Sequence, residues 1–131
     1  ASVPTAAEVA ALDGALADAR ARLAASDDAV IAAQVAITEI PAPTGEEGER
    51  AAWIARRFRA LGLADVRVDA VGNVVGRRPG GVSRRAPAAE RAPVAVCAHL
   101  DTVFPRDVPC RVRRHGGRLF APGIGDNGRG L

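Results

Sequence analysis

The chain has 131 residues, 48% of them apolar, and a formal charge of +3, which suits one globular domain of the usual roughly 100 to 200 residues. No apolar run approaches the ~18 to 20 residues that cross a bilayer, and the first residues lack the basic-then-apolar order of a secretory signal, so a soluble, cytoplasmic protein with no membrane partner is expected. Every basic residue is a dispersed arginine, and three Phe, one Trp and no Tyr leave few platforms for stacked bases, which excludes nucleic acid as the expected partner.

From Thr5 to about Ala24, Val9, Leu12, Leu16, Ala19 and Leu23 recur at helical spacing, and that face is expected to pack on a neighbour. Ser26 or Asp27 can cap a second helix that carries Val30, Ile37 and Ile40 and ends before Pro41 and Pro43. Thr44-Gly45-Glu46-Glu47 has the form of a capping box. The helix expected after it buries Ala51, Ile54, Phe58 and Leu61, and Gly62 can take the left-handed conformation that stops it. Trp53 falls off that stripe.

Val66, Val68, Val74 and Val75 flank Gly72-Asn73 as two strands joined by a turn. Pro79 to Arg91 has no apolar period and reads as a solvated loop. Val94 to Ala98 is short, apolar and β-favouring, which predicts a central strand covered on both faces. Cys97 lies inside it and is expected to act as a small buried hydrophobe; two cysteines, Cys97 and Cys110, make no disulfide framework. Arg111 to Arg113 and Arg118 to Phe120 flank His115-Gly116-Gly117 as a second hairpin. The order of elements predicts an α/β fold with a mixed β-sheet flanked by helices.

The chemistry gathers in two places. His99-Leu100-Asp101-Thr102-Val103 follows the apolar run, and ligands in open α/β sheets collect at the carboxyl ends of strands. Two residues apart on extended chain, His99 and Asp101 point the same way. An imidazole is a good zinc donor, and a carboxylate behind it fixes its tautomer and raises its basicity. The alternative is a histidine merely hydrogen-bonded at a strand end. Gly123-Ile124-Gly125-Asp126-Asn127-Gly128 presents one carboxylate on a bendable backbone. Asp126 could bridge two cations about 3.5 to 4 Å apart, or Asp126 and Asn127 could simply cap a following helix.

Taken together these motifs resemble the dinuclear-zinc metallopeptidase family that includes peptidase T, glutamate carboxypeptidase, aminoacylase and succinyl-diaminopimelate desuccinylase. The likeness runs from Ile40-Pro41-Ala42-Pro43-Thr44-Gly45-Glu46-Glu47 through Gly72-Asn73-Val74 and His99-Leu100-Asp101-Thr102-Val103 to Gly123-Ile124-Gly125-Asp126-Asn127, with the proline pattern closest to the peptidase-T-like branch. It implies a zinc-exopeptidase-like fold with 40–131 the N-terminal part of a catalytic domain; 1–39, read as an N-terminal helical segment, lies outside the likeness.

The resemblance further implies that His99 binds one of two Zn2+ ions, that Asp101 is the catalytic-site acid orienting His99, and that Asp126 bridges both ions. Relatives often carry a second Asp where this chain has Asn127, and the peptide bond after the bridging Asp is typically cis. The implied activity is zinc-dependent hydrolysis of peptide or amide bonds, exopeptidase-like, on small peptides or N-acyl amino acids. A Glu-Glu pair holding the general base, a further acidic ligand and a distal His have no counterpart before Leu131, so the chain is expected to be truncated within the catalytic domain. Homodimerisation would use an inserted domain that begins after this segment. Glu46 and Glu47 are assigned to capping, and His115 to an exposed turn. The rival function is a non-catalytic binding or scaffold domain that keeps the fold.

Overall fold

A computed structural model of the chain describes residues 3, 5–80 and 93–131. The chain divides into two compact units, 1–33 and 34–131. The predicted loop at Pro79 to Arg91 lies almost wholly outside the described residues.

In the first unit the expected long helix is two helices, α1 (Ala6–Ala15) and α2 (Ala17–Ala25), with Leu16 between them. Helix α1 starts on a true capping box. The Thr5 hydroxyl accepts from Glu8 N at 3.3 Å, and Thr5 N donates to Glu8 Oε2 at 2.7 Å, so donors left free by the helix start are satisfied. The bond from Thr5 N, with a second from the Thr5 hydroxyl to Glu8 Oε2 at 2.8 Å, holds the Glu8 carboxyl below its ordinary pKa, the backbone bond contributing most. The stripe expected to pack is open to solvent, with Val9, Leu12, Leu16 and Leu23 each more than half exposed. Helix α3 (Asp27–Thr38) ends before the prolines, as proline's exclusion of helical geometry in the preceding residue requires.

The second unit has its small core around the end of α3, the 40–44 segment and helix α4 (Gly48–Ala60). Ile37, Ala42, Ala51, Ile54 and Ala55 are buried, together with Thr38, Arg50 and Thr102. Glu49 in the first turn of α4 and Arg57 and Arg59 in the last complement the helix dipole. The helix stops as expected. Gly62 has φ +73°, Gly62 N donates to Arg59 O and Leu63 N to Phe58 O, each at 3.0 Å, the bond pair of a Schellman cap. Phe58 is half-buried, but Leu61 is exposed.

Two expectations fail. Thr44 does not cap it; the cap position is Glu47, whose side chain makes no capping bond to the helix and instead accepts from Gly45 N at 2.6 Å. The mixed sheet is also absent among the described residues, which form two separate two-stranded antiparallel sheets. Strands β1 (Ala64–Val68) and β2 (Val74–Arg77) pair across the predicted Gly72-Asn73 turn, and α4 lies against them. Strands β3 (Arg113–His115) and β4 (Arg118–Phe120) pair across Gly116 and Gly117. Both glycines have positive φ, 54° and 73°, the requirement of a two-residue hairpin turn whose twist matches its strands.

The β1–β2 turn is organised by one carboxylate. Asp69 Oδ1 accepts from Val71 N at 3.0 Å and Asn73 N at 2.9 Å, and Asp69 Oδ2 from Asn73 Nδ2 at 2.9 Å. These bonds, the Asn73 side chain's first, hold the Asp69 carboxyl below the ordinary carboxylate range. A depressed carboxylate pKa stabilises the fold above the unfolded-state value, and that contribution is lost as pH falls through the folded-state value. The Val71 and Asn73 amide resonances are therefore expected to hold steady from neutral pH down to the ordinary carboxylate range and to shift below it. In Asp69→Ala they should be displaced at neutral pH already; unchanged amide positions in that variant would remove the carboxylate from the turn.

Val94 to Ala98 is not a buried strand. The segment pairs with no other described strand, Val94 is 90% and Val96 94% exposed, and Cys97 is an exposed free thiol. β-favouring composition describes how well a residue fits a sheet surface, and among the described residues no strand flanks this segment to supply the surface. Cys110 is the buried cysteine.

Candidate functional site

The residues singled out in sequence meet where two separated pieces of chain run side by side. Thr102 N donates to Ala42 O at 2.8 Å, and Pro43 and Thr102 form an isolated parallel bridge. From α4, the buried Arg50 reaches both pieces, donating from one guanidinium nitrogen to Leu100 O at 2.7 Å and from the other to Ile40 O at 2.6 Å. Thr44 then closes the pair, its hydroxyl donating to Asp101 Oδ2 at 2.6 Å. That bond is why Thr44 is unavailable as a cap.

The third piece is the glycine-rich run after Ala121, which is a succession of turns rather than the start of a helix. It is held by Gln34, whose Nε2 donates to Ile124 O at 2.8 Å, and by its own bond from Gly128 N to Gly123 O at 2.9 Å. The Asp126–Asn127 peptide is cis. Asn127 Nδ2 donates to His99 O at 3.2 Å, tying this run to the second.

His99 consequently stands between two carboxylates. Its Nδ1 lies 2.9 Å from Asp101 Oδ1, and its Nε2 lies 2.9 Å from Asp126 Oδ1. With both ring nitrogens facing acceptors, the imidazolium form can donate to each, and the His99 pKa is raised, by Asp126 first and Asp101 second. The Asp101 carboxyl is lowered, by the Thr44 hydroxyl first and His99 second. Asp101 is backed by protein, whereas the Asp126 side chain is 92% exposed. The site is open on the Asp126 side.

Asp126 faces His99, 27 positions away, and residues 122–130 form turns. The other candidate side chains are elsewhere. Glu46 pairs with Arg106 at 2.6 Å, and His115 lies exposed on β3 rather than in the turn.

The donors match zinc in kind, an imidazole nitrogen and a carboxylate oxygen converging, with the far ring nitrogen already held. They do not complete a zinc site in number: among the described residues no group of three or more His, Cys, Asp or Glu is arranged to hold an ion.

Thr44, Arg50 and Asn127 escaped the sequence reading as site residues. For Arg50 a signal existed, since it precedes the buried Ile54 by four positions and so shares its helix face. No protein-family model matches the chain, and neither does any curated protein.

Proposed function

We propose that the chain carries part of the active site of a dinuclear-zinc hydrolase acting on peptide or amide bonds of small peptides or N-acyl amino acids. The observation that carries this reading is the convergence of His99 Nε2 on Asp126 Oδ1 at 2.9 Å while Asp101 holds His99 Nδ1. Imidazole and carboxylate from distant positions meet at an open face with the ring oriented from behind.

His99 would hold one ion and Asp126 both. Two zinc ions, when bound, supply Lewis acidity toward a water and an amide carbonyl. Asp101 acts through His99 as a positioning residue, fixing the ring so that Nε2 faces outward, and Thr44 fixes Asp101 in turn. The general base and the remaining ligands have no counterpart among the described residues. No described helix is long and apolar enough to cross a membrane, and the two free thiols suit a reducing compartment; we place the protein in the cytoplasm.

Zinc loading tests the reading. The 131-residue chain is expected to bind zinc weakly, because two donors fall short of the four that zinc prefers, and the protein expressed from its complete reading frame is expected to hold about two ions per subunit. Asp101→Asn should weaken zinc binding by about 10- to 100-fold, the usual effect of removing a ligand's orienting partner. Zinc affinity indifferent to both Asp101→Asn and His99→Ala would leave the hydrolase reading without its site, and the scaffold reading would take its place.

A further inference from the structure

We infer that Arg50 is a second positioning residue of this site, behind Asp101: its guanidinium fixes the peptide between His99 and Asp101 and so helps set the direction of the imidazole. Arg50 lies on α4, outside every motif that singled out the site, and is 1% exposed. One end nitrogen donates to Leu100 O at 2.7 Å and the other to Ile40 O at 2.6 Å. Leu100 is the residue between the two site side chains. Ile40 opens the segment whose Ala42 carbonyl takes Thr102 N and whose Thr44 hydroxyl takes Asp101.

The local need for such an anchor is plain. On the N-terminal side of His99, the 94–98 segment is exposed and pairs with no described strand, so among the described residues no sheet ladder holds the histidine in place. A planar guanidinium with several donors in fixed directions can bind two carbonyls from separate segments at once, which an ammonium cannot match. Arg50 Nε is buried with no partner among the described residues. A buried donor left unpaired is destabilising, and burial pulls the Arg50 pKa down, while the Asp101 carboxylate favours the cation. A hydrocarbon of similar volume would avoid both penalties; what it could not do is tie Leu100 to Ile40.

The chain has only two histidines, and His115, exposed on β3, serves as an internal reference for His99. The test follows the carbon-bound ring protons of both by NMR in metal-free protein, so it stands or falls separately from the zinc reading. In Arg50→Met, the His99 ring resonances are expected to lose most of their difference from those of His115, with His115 unmoved. Ile54→Ala, a core truncation one turn along α4 that spares both carbonyl bonds, should leave the His99 resonances near their native positions. Equal displacement of His99 in the two variants, or none in Arg50→Met, would reduce Arg50 to fold support. If Arg50→Met does not fold, Arg50→Lys decides: retaining charge but presenting all its donors from one nitrogen rather than from a spread fork, it should displace His99 partway, and native His99 resonances in the lysine variant would overturn the inference.

Discussion

Asp126→Ala is expected to abolish zinc-dependent hydrolysis in the protein expressed from its complete reading frame and to weaken its zinc binding by more than about 100-fold, beyond the range seen when only a ligand's orienting partner is lost. Asp126 would contribute to both ions, so its loss removes a donor from each and the group that sets their separation. The side chain is 92% exposed, and surface substitutions away from caps and buried partners usually leave stability almost unchanged. Its thermal midpoint should therefore stay near that of the parent protein. That combination separates a metal role from a folding role. Full hydrolysis in Asp126→Ala would defeat the assignment, and a large fall in the midpoint would mean that Asp126 serves the turn rather than an ion.

What the sequence made legible is what local chemistry determines. The β1–β2 and β3–β4 hairpins followed from Gly72-Asn73 and Gly116-Gly117, because positive φ at a turn is a property of a few adjacent residues. The end of α4 followed from Gly62 for the same reason. His99, Asp101 and Asp126 were named from spacing and likeness, and the structure brings them within hydrogen-bonding distance.

What escaped depends on partners far along the chain. Thr5-Ala6-Ala7-Glu8 and Thr44-Gly45-Glu46-Glu47 have the same Thr-x-x-Glu pattern, yet only the first is a capping box. The Thr44 hydroxyl is taken by Asp101, 57 positions away, and no window of four residues contains that competitor. The 94–98 segment fails in the opposite sense: its residues suit a sheet, but a strand exists only where another lies beside it. Arg50 was passed over because it lies in none of the motifs, and the two carbonyls that hold it, Leu100 O and Ile40 O, belong to other segments of the chain.

Gly128→Ala is expected to damage both the fold and the site. Gly128 is buried, and a Cβ there would meet Thr38 Oγ1 well inside van der Waals contact while lying 3.0 Å from Gly123 O and 3.1 Å from Ile124 O. None of these atoms retreats freely. Thr38 Oγ1 donates to Gln34 O at 2.7 Å, Gly123 O accepts from Gly128 N itself, and Ile124 O accepts from Gln34 Nε2. Overpacking of this kind costs about 1–3 kcal/mol, and in a unit of this size each kcal/mol lowers the midpoint by roughly 4–8 °C. Since the turn that must give way carries Asp126, zinc binding should weaken along with stability. Adding Thr38→Ala to Gly128→Ala removes the nearest obstacle and should recover part of the loss, less than all of it because the two carbonyls remain, and the coupling is measurable as a double-mutant cycle. A Gly128→Ala protein with an unchanged midpoint, or strict additivity with Thr38→Ala, would show that the glycine turn does not rest on α3 as described.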